Sequence, residues 1–345
     1  MNKYIKTGIL VCSMFCLTQQ SGKDVVIKAA EYSASDSIDV NSLKMSMSDG
    51  TYKIQSEKND LVILENMYDY GLEDEEYGVI SEERIKPSGK VLHYKTTSFK
   101  SFRNYVFACK KQKLYVANTS NKSINIKVIN KKNGRITTLI NQKYDDAEKL
   151  AKTINVFDVF ENDKKIYCIT QNWKKDDIYQ YYLKIYDTLK KKWVKSKKIK
   201  GDYLKFESGK LYMKDSNKVI EYTLNGTLSN KYTLPKGQTK VGVGKNSTGE
   251  CYGYLPFEGC DVKKNKIYYC NKEGIYLLNM KNEKVHRIYN PKGDSMFSQK
   301  PENDEEKLYG LCDLKILDNG DLYLVFVNED DSEMERFSQI KKYVQ

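Results

Sequence analysis

Residues 112–118 read QKLYVAN and decide the fold of this chain. A basic residue, an aliphatic residue and a tyrosine are followed by short apolar residues and turn formers, which is the pattern of one half-buried β-strand. The central triplet recurs as Asp60-Leu61-Val62, Lys113-Leu114-Tyr115, Lys165-Ile166-Tyr167, Lys210-Leu211-Tyr212, Lys266-Ile267-Tyr268 and Asp321-Leu322-Tyr323. The third positions are 53, 52, 45, 56 and 55 residues apart. A repeat of about fifty residues made of short strands is typical of propeller blades, so the sequence predicts an all-β, six-bladed β-propeller.

The repeats predict one domain, because each blade buries its faces only against its neighbours. We therefore expect residues 21–345 to form a single β-propeller domain behind an export signal at residues 1–20. The 28 tyrosines and the 40% hydrophobic content support strands around a packed core, while prolines number only five.

The first twenty residues have the composition of an export signal. Two lysines precede residues 7–17 (TGILVCSMFCL), an apolar run too short to span a bilayer. We therefore predict an extracytoplasmic protein, either secreted or associated with the cell envelope. A lipid anchor is an alternative, although Cys12 and Cys16 follow Val11 and Phe15 rather than small residues. A buried N-terminal strand in a cytosolic protein is the other alternative.

Closure of the ring follows from the length of the last repeat. It begins near residue 308 and has too few residues for four strands, so its outer strand is missing from its own repeat. An unpaired blade edge exposes a row of backbone donors and acceptors. Residues 25–28 (VVIK) have β composition and no partner in their own repeat, and we predict that they pair with residues 334–343. Residues 33–42 read as a polar spacer.

The net charge of +12 suits contact with an anionic surface. The lysines fall mainly at strand ends and turns, however, which favours a solvated surface. Residues 69–83 reverse the charge, and we interpret them as a solvated acidic insertion on one rim, without the ligand alternation of a calcium loop. No nucleic-acid-binding signature is present, so no nucleic-acid partner is predicted, and a monomer is expected.

Residues for catalysis are not marked by any motif. His93 and His286 are the only histidines, and no nucleophile elbow, phosphate loop, dinucleotide fingerprint or CxxC occurs. We therefore assign no catalytic, cofactor-binding or metal-binding residue and expect no cofactor. Cys251 and Cys260 flank one loop and are the favoured disulfide pair. The other cysteines after residue 20, which we expect to be small buried residues within strands, are Cys109, Cys168, Cys270 and Cys312.

The repeated strand, together with a later Ile220-Glu221-Tyr222 or Ile275-Tyr276 strand, resembles the six-bladed β-propellers of exported bacterial proteins, of the broad NHL-like type. The resemblance covers the chain from about residue 43 onward. It implies architecture only, since such families contain both binding proteins and enzymes.

Two functions remain open at this stage. The favoured hypothesis is a non-catalytic exported propeller that binds a protein or glycan partner of the cell envelope at its rim or central funnel. The alternative is a glycan-active enzyme, a lyase or hydrolase that uses tyrosine, lysine, arginine or carboxylate side chains at the funnel. The two tryptophans, Trp173 and Trp193, give little support for an extended sugar-stacking platform. A lone carboxylate pair or a tyrosine–arginine cluster at the funnel would favour the enzyme.

Overall fold

Short strands rich in tyrosine, isoleucine, valine and lysine make up nearly all of the regular structure, in keeping with the β-propensity of these residues. The computed structural model describes residues 32–38, 43, 51–70, 76–95, 99–100, 107–110, 113–120, 123–143, 153–173, 179–245, 251–298, 308–328 and 339–345. Within these ranges the strands pair into six antiparallel sheets, which are the blades, and one two-stranded hairpin. The helical segment α1 (Ser295–Ser298) is one turn long.

The blades follow one another along the chain. Blade 1 contains β2 (Thr51–Glu57), β3 (Asp60–Tyr70), β4 (Glu76–Ile85) and β5 (Val91–Lys95), with β6 (Phe99–Lys100) also paired to β4. Blade 2 contains β7 (Phe107–Lys110), β8 (Lys113–Ser120), β9 (Ser123–Asn130) and β10 (Ile136–Lys143). Blade 3 contains β11 (Thr153–Asn162), β12 (Lys165–Trp173), β13 (Tyr179–Asp187) and β14 (Lys192–Ile199). Blade 4 contains β15 (Asp202–Glu207), β16 (Lys210–Asp215), β17 (Lys218–Thr223) and β18 (Leu228–Thr233).

A hairpin of β19 (Lys240–Lys245) and β20 (Cys251–Pro256) precedes blade 5. Blade 5 contains β21 (Gly259–Lys263), β22 (Lys266–Asn271), β23 (Gly274–Asn279) and β24 (Val285–Tyr289). Blade 6 contains β25 (Tyr309–Ile316), β26 (Leu322–Asn328), β27 (Gln339–Val344) and, from the start of the chain, β1 (Ser33–Ile38).

The first strands of the blades form a closed ring. Each contacts the first strands of the neighbouring blades, in the order β2, β7, β11, β15, β21, β25 and back to β2. Hydrophobic side chains fill the spaces between neighbouring sheets; Ile169 and Leu183 of blade 3, for example, pack with Leu211 and Met213 of blade 4. This arrangement confirms the predicted six-bladed β-propeller.

The repeated triplet occupies the same place in every blade, at the start of the second strand. In blades 1, 3, 4 and 5 it follows a two-residue turn whose first residue has a positive φ, namely Lys58, Asp163, Ser208 and Lys264. The five tyrosines of the triplets pair with first-strand residues close to that turn, as Tyr115–Ala108, Tyr167–Phe160, Tyr212–Lys205, Tyr268–Asp261 and Tyr323–Lys315. The predicted register of the tyrosines is therefore confirmed.

Strand β1 closes the ring by pairing antiparallel with β27. Closure by an N-terminal strand is confirmed, but the segment was predicted wrongly: residues 33–38, interpreted as a polar spacer, form the strand, and residues 25–28 lie outside the described residues. Short polar side chains suit this position, because an outermost strand pairs on one side only and needs little apolar burial. The anchor is the preceding residue, Tyr32, whose amide donates to Ile288 O at 2.7 Å and whose hydroxyl donates to Gly320 O at 2.8 Å.

The acidic segment at residues 69–83 is not a solvated insertion as far as it is described. Most of it belongs to β3 and β4, and Glu82 and Glu83 are 1% and 2% exposed. Arg84 donates to Glu82 Oε1 at 2.9 Å, Lys131 also binds Glu82, and Glu83 contacts the imidazole of His93. Basic partners on β4 and on neighbouring strands therefore allow these carboxylates to be buried.

The cysteine prediction is also corrected. Cys260 is a buried free thiol, so the pairing with Cys251 is wrong. Cys168 and Cys270 are buried free thiols within strands, as predicted, whereas Cys312 is an exposed thiol within β25. Cys109 lies in β7, but its side chain is outside the described set. No helix in the described part of the chain is long and apolar enough to cross a membrane.

Three carboxylates accept hydrogen bonds from lysines, and we therefore expect the folded state to lose stability in acid. Burial alone would raise the pKa values of Asp60, Glu221 and Asp294, but hydrogen bonds from lysines outweigh it and lower all three. Such groups stabilise the folded state above the unfolded pKa of about 4, and this stabilisation is lost as the pH falls through the lower folded values. We expect the urea concentration at the midpoint of unfolding to be nearly constant between pH 7 and about pH 5 and to fall steeply below about pH 4.

The control for this expectation is Glu221→Gln. Glu221 accepts from Lys210 Nζ at 2.8 Å and from the hydroxyls of Tyr212 and Tyr232, so the variant is less stable at neutral pH. Its urea midpoint should nevertheless fall less between pH 5 and 3, because one group with a lowered pKa is gone. If the urea midpoint of the variant falls as much between pH 5 and 3 as that of the native chain, Glu221 does not contribute to the acid sensitivity.

Candidate functional site

The side chain of Lys53 on β2 reaches across the centre of the ring. Its Nζ donates to the backbone oxygen of Phe157 at 2.6 Å and lies 3.6 Å from Asp158 Oδ1, both on blade 3. It also lies 5.9 Å from the centroid of the Tyr203 ring on blade 4. Blade 4 is opposite blade 1 in a six-bladed ring, so Lys53 spans the axis.

Tyr203 and Asp158 complete this group. The Tyr203 hydroxyl donates to Asp158 Oδ2, and Asp158 Oδ1 accepts from the amide of Val159 at 2.7 Å. Burial and the adjacent Asp158 carboxylate raise the pKa of Tyr203 well above its usual value. The hydroxyl therefore keeps its proton at neutral pH and acts as a donor.

A second group continues around the axis on blades 4, 5 and 6. Lys205 Nζ lies 2.7 Å from Asp261 Oδ1, and Lys315 Nζ lies 2.6 Å from Asp313 Oδ1. Asp261 Oδ2 accepts from the amide of Ile316 at 3.0 Å, which ties blade 5 to blade 6. We name these side chains together the axial cluster, and they are Lys53, Asp158, Tyr203, Lys205, Asp261, Asp313 and Lys315.

The pKa values of Asp313 and Lys315 on blade 6 reflect their burial and the charges around them. Burial raises the pKa of Asp313 above its usual value, although Lys315 opposes the shift. Burial alone would lower the pKa of Lys315, but the carboxylates of Asp313 and Asp261 outweigh it and raise it. The raised Asp313 value opposes the acid sensitivity predicted above, since a carboxyl group of this kind favours the folded state at low pH.

The aspartates of the axial cluster share a local motif that sequence reasoning missed. Asp158, Asp261 and Asp313 each precede an aliphatic residue and accept its amide hydrogen at 2.7, 2.7 and 2.8 Å. β-Bulges lie beside Asp158 and Asp313, and such bulges turn side chains to new directions. An Asp-aliphatic pair on the first strands of blades 3, 5 and 6 is the signal, but bulges and unequal turns remove its constant spacing.

Chemically, the axial cluster alternates positive and negative groups that bind one another. Among the described residues, the axis holds neither a lone carboxylate pair nor a tyrosine–arginine cluster. In the same ranges, no three His, Cys, Asp or Glu side chains are placed to hold a metal ion. The axial cluster therefore links blades 1, 3, 4, 5 and 6 by hydrogen bonds and ion pairs.

One end of the ring carries the longer connections, and we call it the connection end. There the second strand of each blade leads to the third, and one blade leads to the next. Hairpin β19–β20 lies in one of these connections and packs on β25, since a Cβ on Gly310 would lie 2.8 Å from Pro256 O. The opposite end carries the short turns between first and second strands.

An aromatic cluster lies at the connection end of blade 3 and extends toward the axis. Trp173, the last residue of β12, lies opposite Tyr179, the first residue of β13, with ring centroids 5.2 Å apart. Tyr179 meets Tyr181 edge-on at 5.6 Å, and Tyr181 meets Phe157 at 5.4 Å. Phe157 lies 6.4 Å from the ring of Tyr203, so the aromatic cluster reaches the axial cluster.

The residues singled out from sequence lie apart from one another. His93 is on β5 of blade 1, and His286 is half-buried on β24 of blade 5. Trp193 is on the outer strand β14, where it packs against Tyr186 and lies 4.8 Å from Lys184 Nζ. Only Trp173 belongs to the aromatic cluster.

Comparisons with known proteins give structural similarities alone. No family model matches the chain, and no curated protein matches it. Among solved structures it is similar to a subtype N11 neuraminidase-like protein of A/flat-faced bat/Peru/033/2010 (H18N11), with 9% identity, a TM-score of 0.47, and coverage of 92% of this chain and 94% of that chain. It is also similar to the β-propeller domain of the trilobed protease from Pyrococcus furiosus, with 7% identity, a TM-score of 0.38, and coverage of 87% and 94%.

The acylaminoacyl peptidase of Pyrococcus horikoshii gives 10% identity and a TM-score of 0.42, and the match covers 80% of this chain and 43% of that enzyme. At such identities and TM-scores, the strand pairing itself is the basis for assigning the fold. That pairing defines the chain as a six-bladed β-propeller. This propeller has an ion-paired axis and an aromatic cluster at its connection end.

Proposed function

We propose that this protein is an exported, non-catalytic β-propeller that binds a protein or glycan partner of the cell envelope at its connection end. The observation that carries the proposal is that the charged side chains at the axis are paired with one another. Every charged side chain of the axial cluster lies within 4 Å of an oppositely charged one, and Lys53 spans the space where a substrate would enter. Groups engaged in this way are costly to separate, because each would be left buried without its partner.

The connection end, rather than the axis, carries exposed side chains suited to binding a partner. Tyr179 is 41% exposed there, beside the half-buried indole of Trp173, and tyrosine combines a large apolar face with a polar tip. The longer connections between strands also lie at this end, and binding residues are commonly carried on such segments above a rigid scaffold. The apolar run at residues 7–17 supports export, and the net charge of +12 is compatible with an anionic surface.

The second candidate is the glycan-active enzyme, and the group of Tyr203, Asp158 and Lys53 favours it. A tyrosine beside a carboxylate and an ammonium has the residue types of acid–base catalysis. Its geometry favours binding instead, because the Tyr203 hydroxyl is bound to Asp158 and Lys53 is bound to the Phe157 carbonyl.

The test measures binding and turnover in one experiment. Purified protein is mixed with isolated bacterial cell envelopes; the bound fraction is measured by sedimentation and the released carbohydrate by a reducing-sugar assay. We expect saturable binding and no release of sugar above the protein-free control. A second arm uses envelopes treated with protease: binding that is lost identifies a protein partner, and binding that persists identifies a glycan.

Tyr203→Phe is the control for turnover. Release of sugar by the native chain that this variant abolishes would establish the enzyme and overturn the proposal. Absence of saturable binding to treated and untreated envelopes would exclude an envelope partner.

A further inference from the structure

Tyr179 is an exposed aromatic residue that is nevertheless held in place. Its ring contacts the rings of Trp173 and Tyr181, and its hydroxyl donates to Asp202 Oδ1 at 3.1 Å. Exposed side chains normally keep their rotamer freedom, and losing it opposes binding. A ring that is 41% exposed yet held by three neighbours has already lost much of that freedom.

Trp173 is fixed by a chain of hydrogen bonds beneath it. Its Nε1 donates to Gln171 Oε1 at 2.8 Å, and Gln171 Nε2 donates to the hydroxyl of Tyr181 at 3.2 Å. Gln171 and Tyr181 are each 6% exposed, so this support is buried. The half-buried indole and the Tyr179 ring, tilted by 49° to each other, thus form a preorganised aromatic surface.

Polar groups surround this surface. Asp202 is exposed, and its carboxylate has acceptor capacity beyond the single bond from Tyr179. Asn155 shares a cross-strand row with Gln171 and Tyr181, and its buried Oδ1 has no hydrogen-bond partner within the described residues. Buried acceptors are normally satisfied, so this shielded oxygen is suited to a buried water molecule beneath the surface.

A short blade connection brings Asp202 to this place. Gly201 has a φ of +94°, and a Cβ there would lie 2.8 Å from Lys214 O. The chain can therefore pass close against β16 and start β15 beside Tyr179. A larger residue at position 201 would displace this start.

The geometry points to a saccharide-binding site at the junction of blades 3 and 4, in which Trp173 and Tyr179 stack on a pyranose ring and Asp202 accepts its hydroxyl groups. This inference rests on the proposed function and narrows its ligand to a neutral glycan. A pyranose presents an apolar C–H face and a rim of hydroxyls, which matches exposed ring faces beside carboxylate and amide oxygens. Aromatic residues also anchor protein partners, so the protease arm of the envelope test is needed to separate a protein from a glycan. An acidic sugar would be repelled by Asp202.

The test uses the fluorescence of Trp173. The chain has two tryptophans, so Trp193→Phe leaves Trp173 as the only indole. In this background, cellohexaose, chitohexaose, xylohexaose and maltohexaose are titrated separately to about 10 mM, beyond which binding is too weak to be informative. We expect a saturable fluorescence change with at least one of them.

Variants then locate the site. Tyr179→Ala should weaken binding by about tenfold, the equivalent of 1.4 kcal/mol. Tyr179→Phe keeps the stacking face but loses the bond to Asp202, so it should weaken binding less. Tyr254→Ala is the matched control, since Tyr254 is an exposed tyrosine on β20, outside this site, and binding should be unchanged. Thermal melting of each variant confirms that it is folded.

The outcomes separate this inference from the proposed function. If no hexasaccharide changes the Trp173 signal, or if Tyr179→Ala and Tyr254→Ala bind equally, the saccharide site is overturned. Protease-sensitive envelope binding would overturn it also, while the binding function stands. Cleavage of a bound hexasaccharide would overturn the non-catalytic function and leave the site in place.

Discussion

A chain that starts at residue 39 is expected to melt roughly 6–10 °C below a chain that starts at residue 32, because it lacks Tyr32 and β1. Tyr32 is 6% exposed and belongs to the core shared by blades 5 and 6. Removing a buried aromatic side chain costs about 3–5 kcal/mol, and each kcal/mol lowers the melting temperature of a larger domain by about 2 °C. Loss of β1 also leaves the edge of β27 unpaired.

Differential scanning calorimetry of the two chains measures this difference. The chain that starts at residue 32 is the matched control, because it keeps every described residue. In the full chain, Tyr32→Ala should account for most of the loss, since it removes the bond to Gly320 O and the one from Gln345 Nε2 at 2.9 Å. Equal melting temperatures for the two chains would show that the ring does not depend on β1.

The second large effect is expected for Arg84→Met in blade 1, which should lower the free energy of unfolding by about 3–5 kcal/mol. Arg84 Nη1 donates to Asp60 Oδ2 at 2.8 Å, and Nη2 donates to Glu82 Oε1 at 2.9 Å and to Glu57. Without the guanidinium, three adjacent carboxylates would repel one another, and Glu82 is 1% exposed. Urea denaturation at pH 7 measures the loss.

Two further variants test the cause. Arg84→Lys keeps the charge but lacks the planar fork that binds several carboxylates at once, so its stability should lie between those of the native chain and Arg84→Met. Arg135→Met removes an exposed arginine and should change stability by less than about 0.5 kcal/mol. If the Arg84→Met and Arg135→Met midpoints coincide, the blade 1 network does not stabilise the fold.

The architecture was predictable because it depends on a local pattern repeated six times. The triplet at the start of each second strand combines an aliphatic residue for one inter-blade space with a tyrosine or valine for the other, and this need is the same in every blade. The choice of closing strand was not predictable in this way. Strand β1 is held by backbone pairing and by Tyr32, so the more apolar residues 25–28 were the stronger signal in sequence.

The axial cluster was hidden for a different reason. Its ion pairs join residues far apart in sequence, such as Lys53 with Asp158 and Lys205 with Asp261, and each depends on the ring being closed. The buried Glu82 and Glu83 were misinterpreted as solvated for the same reason, since their partners become visible only when strands are paired. The aromatic cluster was missed because Trp173 and Tyr179 belong to different strands and meet only through cross-strand pairing.

The placement of β1 in blade 6 also sets an order of events during synthesis. Strand β1 is made before blades 1 to 5, but its partner β27 is made after all of them. Before β27 is available, β1 has no strand partner and the contact between β2 and β25 cannot close the ring. Contacts between such distant segments form slowly. We therefore expect the joining of the two ends of the chain to be the last step of folding, and until then the edge of β27 is open to pairing with another copy.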